Sequence, residues 1–202
     1  MPNTYTRGVT PVGTVRFSHL LHEEMYNGLS TNQYTLMLAL EPEDEQKLLE
    51  QINQEWERFV KENPERSYPY AFSNGFKSYH DQNYFKFRMS AHILTKRGDW
   101  DRTVPIFDSA LNNISQQLIT SNKELGNGSK VKVSYELLPF YKSEKNYGIS
   151  LRLLSVQVLE FHEYTMSGES FGFSKEEGYP PFAEGASKPV PADTVDDDYI
   201  PF

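Results

Sequence analysis

The sequence predicts a mainly β chain with inserted helices, an α+β arrangement built on a small OB-fold-like five-stranded barrel. Three observations carry that reading: about five segments in which apolar and polar residues alternate, one amphipathic helix set between early strands, and long loops rich in Gly, Pro, Ser and Asn. An SH3-like barrel or a small sandwich accounts for the strand count nearly as well.

Val12, Val15, Phe17 and Leu20 mixed with Thr14, Arg16 and Ser18 suit a first strand between Val9 and Leu21. Asn27-Gly28 is a turn signal, and Gln33 to Leu40 reads as the second strand. Pro42 then opens a helix whose first turn carries Glu43, Asp44 and Glu45, where the helix dipole favours acids. Leu48, Leu49, Ile52, Trp56, Phe59 and Val60 recur on one face until Asn63-Pro64 ends it. Residues 64–83 read as a long aromatic loop. From Tyr84 to His92 a period of two sets Phe85, Phe87, Met89 and Ala91 against Tyr84, Lys86, Arg88, Ser90 and His92. Val104 to Phe107 makes a short strand, and Ser109 to Ser121 a helix or turn with Leu111, Ile114, Leu118 and Ile119 inward. Lys130 to Leu138 alternates again, and a last strand runs from Ile149 to about Phe161. Past Tyr164 periodicity vanishes, so residues 1–164 are expected to form one domain and 165–202 a flexible acidic tail.

The formal net charge of the 202 residues is −8, but it is unevenly spread. Residues 41–65 carry −6 and residues 165–202 another −6, which leaves +4 on residues 66–164. An acidic helix and an acidic tail therefore mask a mildly basic centre. The chain has no cysteine, which excludes disulfides and cysteine-ligated metal centres. Neither a signal peptide nor an apolar run able to cross a bilayer is evident, so a soluble, intracellular protein without membrane partners is expected.

A single strand of nucleic acid is gripped by cations that track its phosphates and by exposed rings on which its bases stack. Three clusters offer that mixture: Tyr84, Lys86 and Arg88 on one strand face; Lys96, Arg97 and Trp100 in the following loop; and Phe140, Tyr141, Lys142 and Tyr147 further on. Lys130 and Lys132 add a basic strand face. The helix is acidic and phosphate would repel it, which argues against duplex readout. His19 and His22 have no evident third ligand, no phosphate-binding glycine loop is present, and no nucleophile motif surrounds the serines. Neither an enzyme nor a bound metal or cofactor is expected.

The tail ends in Asp196-Asp197-Asp198-Tyr199-Ile200-Pro201-Phe202, a run of like charges closed by an apolar tip. A ring together with an α-carboxylate suits a hydrophobic pocket flanked by Arg or Lys, so this segment is a candidate docking tail. It resembles the Asp-Asp-Asp-Ile-Pro-Phe ending of bacterial single-stranded DNA-binding proteins, with Tyr199 inserted.

The body resembles phage-encoded single-stranded DNA-binding proteins. The segments that carry the resemblance are Gln33-Tyr34-Thr35-Leu36-Met37-Leu38 running into Glu41-Pro42-Glu43-Asp44, Asn83-Tyr84-Phe85, and Val104-Pro105-Ile106-Phe107-Asp108. Gly128-Ser129-Lys130-Val131-Lys132-Val133, Phe140-Tyr141, and Tyr147-Gly148-Ile149-Ser150 to Val156-Gln157-Val158 complete it, over about residues 10–163. The resemblance implies an OB-fold with extra helices and sequence-independent binding of single strands in the cytoplasm of an infected bacterium. It also implies a tail that contacts replication and recombination proteins, and it leaves room for a homo-oligomer. This chain departs from the pattern in Tyr199 and in a neutral rather than basic body. The rival readings are a protein-interaction module that binds no nucleic acid and, more remotely, a small hydrolase.

Overall fold

A strand whose alternate residues are apolar needs one buried face, and two long strands of this chain close a sheet on itself to supply it. The computed structural model describes residues 5–66, 73–79, 82–96 and 98–163. Its strands are β1 (Thr6–Val9), β2 (Gly13–His19), β3 (Met25–Tyr26), β4 (Leu29–Ser30), β5 (Gln33–Ala39), β6 (Phe76–Tyr79), β7 (Gln82–Ser90), β8 (His92–Thr95), β9 (Gly98–Asp101), β10 (Ile106–Phe107), β11 (Lys130–Ser143) and β12 (Asn146–Glu160). Helix α1 spans Pro42–Glu62 and helix α2 Ser115–Ser121.

Strand β2 pairs with β5, β5 with β7, β7 with β12, β12 with β11, and β11 again with β2. That circuit is a closed five-stranded barrel in which only the β7–β12 contact is parallel. Closure leaves no free edge in the ring, while β1 extends β11, and β6 and β10 flank β7 and β12. The barrel interior holds Val15, Leu36, Leu38, Phe85, Phe87, Met89, Val131, Val133, Leu137, Ile149, Leu151 and Leu153. Phe85, Phe87 and Met89 thus point inward as their alternation predicts.

Helix α1 keeps the apolar stripe expected of it. Leu48 and Ile52 enter the core, Leu49 and Trp56 pack at its margin, and Glu43, Asp44 and Glu45 crowd the first turn. It docks on β11 and β12: the Tyr135 hydroxyl donates to Gln51 Oε1 at 2.8 Å, and Trp56 stacks on Tyr147 at 5.4 Å. Its buried Glu55 accepts from the Thr6 hydroxyl at 2.7 Å, tying β1 to the helix.

Several expected boundaries move. The loop at 64–83 contains β6, which pairs along the start of β7. The first strand divides into β1 and β2, and the stretch 109–121 expected as a helix or turn is helical only from Ser115, with Leu111 and Ile119 exposed rather than inward. Strands β11 and β12 run on past Pro139 as one long hairpin, because Pro139 faces Ile149 and the ladder continues through Phe140. At Gly148 the backbone adopts φ +143°, and an added Cβ would lie 2.0 Å from the Ser73 carbonyl oxygen. Ser73 N–H donates to the Tyr147 carbonyl and Ile149 N–H to the Ser73 carbonyl, so the segment before β6 clamps onto the hairpin there.

Candidate functional site

Residues that alternate with the barrel core form an outer face on β2, β5, β7 and β12, and cross-strand register arranges them in rows. Phe17 stands opposite Met37, which stands opposite Lys86. In the next row His19, Thr35, Arg88, Arg152, Glu136 and Arg7 face one another in turn. A bulge between Val15 and Phe17 shifts the β2 register, and the Arg16 guanidinium lies over the Phe17 ring at 5.7 Å. Tyr79 meets Phe17 edge-on at 6.1 Å. At the head of this face a cleft of about 500 Å³ is lined by Thr14, Arg16, Ala39, Glu45, Asn83 and Tyr84, among others.

Two hairpins spring from adjacent strand ends beside the face. The first, β3–β4, turns at Asn27-Gly28, whose φ angles of +50° and +77° match the two-residue turn favoured by strand twist. Its tip exposes Met25, Tyr26 (71%) and Leu29 (74%). The second, β8–β9, exposes Leu94 and Trp100 (57%) around Lys96. Asn32 joins their bases: its side chain donates to the His92 carbonyl at 3.2 Å and accepts from His92 N–H at 2.9 Å. Across β8–β9, His92 Nδ1 lies 2.7 Å from Asp101 Oδ1. That hydrogen bond, with the charges of Asp101, Asp99 and Glu23, raises the His92 pKa above its ordinary value.

Lys96 and Trp100 are exposed, but the expected loop is a hairpin, with Trp100 on β9 opposite Ile93. Lys142 is exposed near the end of β11, where Phe140 and Tyr141 are half-buried. Lys86 and Arg88 lie on the outer face, but Lys86 Nζ sits 2.5 Å from Glu24 Oε1, and that carboxylate neutralises it. Lys130 and Lys132 lie on β11, beside β2 of that face, and Lys130 Nζ donates to Thr14 Oγ1 at 2.7 Å.

Two expected stacking rings are corrected. Tyr84 is 2% exposed and its hydroxyl donates to Gln82. Tyr147 is 1% exposed, sandwiched against Trp56 with Tyr141 at 6.4 Å. Helix α1 and the clamp at Ser73 cover Tyr147, and neither is adjacent to it in sequence. Arg97 and the tail residues Asp196 to Phe202 lie outside the described residues. The set chosen by composition omits Arg16, Phe17, Tyr26 and Arg152. For Tyr26 the signal was its place beside the Asn27-Gly28 turn, which puts a ring at a hairpin tip.

Among the described residues no group of three His, Asp or Glu is arranged to hold a metal ion. His22 Nε2 instead meets Asn122 Oδ1 at 2.9 Å. No described helix is long and apolar enough to cross a membrane.

No protein-family model matches the sequence, and no curated protein matches it. Solved structures do match its fold. Gp2.5, a single-stranded DNA-binding protein encoded by bacteriophage T7, superposes with a TM-score of 0.62 at 18% identity, over 89% of this chain and all of that one. The single-stranded DNA-binding protein of bacteriophage Enc34, in complex with single-stranded DNA, superposes with a TM-score of 0.56 at 13% identity, over 78% of this chain and 88% of that one. The chain thus has the fold of these phage proteins.

Proposed function

We propose that this chain binds single-stranded DNA without regard to sequence, along the outer face of β2, β5, β7 and β12 and between the two hairpins. The observation that carries the reading is the continuity of exposed rings with cations on that surface. Phe17 lies under Arg16, Arg88 and Arg152 follow across the sheet, and Tyr26 and Trp100 stand at its margin. Stacking on such rings is worth about 1–3 kcal/mol per base and tolerates any base. Lys96, Lys130, Lys132 and Lys142 extend the positive surface around the barrel. The fold shared with two phage proteins that bind single strands supports the same reading.

The wider role is protection of single strands during phage replication and recombination in the host cytoplasm. Residues 165–202 act as an acidic tail whose Asp196–Phe202 tip recruits partner proteins and competes with DNA for the basic face. Deleting residues 193–202 should tighten DNA binding at low salt, and the gain should fade as salt shortens the Debye length.

The deciding experiment is quenching of Trp and Tyr fluorescence by an unlabelled oligothymidine, with the matching duplex as control, at two salt concentrations. Strong, salt-sensitive quenching by the single strand alone is the expected result. Silence toward both would sink the reading and leave the barrel as a protein-binding module.

A further inference from the structure

The row containing Arg88 holds charges that strand pairing alone disfavours. Arg88 of β7 and Arg152 of β12 stand directly opposite each other. Phe87, Met89, Leu151 and Leu153 point into the core, so both arginines leave from the outer face. Like charges placed opposite one another on paired strands are destabilising. The described row holds one carboxylate against three guanidinium groups. Glu136 is buried; its Oε2 accepts from Arg152 Nη1 at 3.0 Å and its Oε1 from Arg7 Nε at 2.6 Å. Both of its oxygens are thus engaged by Arg152 and Arg7. Arg88 Nε is buried with no acceptor among the described residues. A buried donor left unpaired carries a desolvation cost that an anion would relieve.

We infer that Arg88 and Arg152 form a phosphodiester subsite, in which one phosphate of a bound single strand bridges the two guanidinium groups. The inference rests on the single-strand reading above. Phosphate suits the pair because its oxygens accept the parallel N–H groups of a guanidinium fork, and two forks on adjacent strands can share one phosphate. Glu136 is the positioning residue: it holds Arg152 from the β11 side and leaves the remaining donors of that guanidinium for the anion. The Tyr5 ring, 5.8 Å from Arg152 Cζ, holds it from another side. Lys86, one row away, is already neutralised by Glu24 and takes no comparable part.

The test uses the full-length chain and an oligothymidine. Nitrogen NMR of the arginine side chains follows the Nε–H of Arg88 in the unmodified protein, so no variant has to fold. Salt titrations then compare the unmodified chain with Arg88→Ala, Arg152→Ala and the double variant. Each contacted phosphate contributes about 0.7 to the slope of log affinity against log salt for single strands. A shared phosphate predicts that the Arg88 Nε–H resonance shifts on adding the oligothymidine. It also predicts that the double variant loses about 0.7 of slope in total, more than the two single losses together, because either guanidinium alone still holds the phosphate. Binding with an unmoved Arg88 resonance, or with additive slope losses in the double variant, would overturn the subsite while leaving single-strand binding intact. No affinity of the unmodified chain for the oligothymidine would overturn both.

Discussion

Two regions of this chain have nearly the same composition and opposite fates. The β11–β12 hairpin carries Phe140, Tyr141, Lys142 and Tyr147; the β8–β9 hairpin carries Lys96 and Trp100, beside Tyr26 on β3–β4. In the first, α1 lies against the ladder and Trp56 stacks on Tyr147, so Tyr147 serves to dock the helix, with Tyr141 packed beside it. In the second, nothing among the described residues covers the tips, and Trp100 and Tyr26 stay more than half exposed. A ring beside a cation is therefore no marker of function until the element that could cover it has been located.

The largest expected effect tests the buried side of this contrast. Tyr147→Ala should lower unfolding free energy by about 3–5 kcal/mol, the usual cost of truncating a buried aromatic residue, as read by denaturant titration. Unchanged stability with lost DNA affinity would reverse the roles assigned to the two hairpins. Next comes Gly148→Ala. Its Cβ would meet the Ser73 carbonyl at 2.0 Å in a backbone conformation that side chains rarely adopt, for a loss of about 3 kcal/mol. A full-strength thermal transition in that variant would show that the Ser73 clamp is dispensable.

The exposed side should respond in the other measurement. Trp100→Ala and Tyr26→Ala should each leave stability within about 0.5 kcal/mol. Each should weaken oligothymidine binding by about 1–3 kcal/mol in a fluorescence or anisotropy titration. Equal affinity in both variants would remove the hairpins from the interface and leave only the barrel face.

The smallest effect concerns the base of β8–β9. The His92 pKa is raised by its hydrogen bond to Asp101, so the contribution of this pair is fully present below the ordinary histidine pKa. It is lost as pH rises through the higher folded value. Comparison of the unmodified chain with Asp101→Asn should show a stability difference below the ordinary histidine pKa of about 6.5 that disappears at alkaline pH. A difference that persists at the alkaline end would assign the pair a role independent of charge.

Much of the barrel was legible in local pattern. The alternation of Phe85, Phe87 and Met89 placed them inward because a strand has only two faces. The 3.6-residue recurrence of Leu48, Ile52 and Trp56 placed the helix, and Asn27-Gly28 placed a two-residue turn. Exposure on the proposed interface was legible only in part. Lys96 and Trp100 lie in water as their polar stretch suggests, and Arg88 leaves the outer strand face by alternation, whereas Tyr84, on the same strand face by that alternation, is buried.

The sequence by itself determined the main barrel strands, the long helix and which strand faces are apolar, because these follow from residue spacing along a few turns of backbone. Only the tertiary structure decided which outward residues remain in water and which become neighbours. Arg88 and Arg152 meet through a parallel pairing of strands far apart in the chain, Lys86 is neutralised by Glu24 from a loop, and α1 covers Tyr147. Each is a long-range contact, and local spacing carries no record of it.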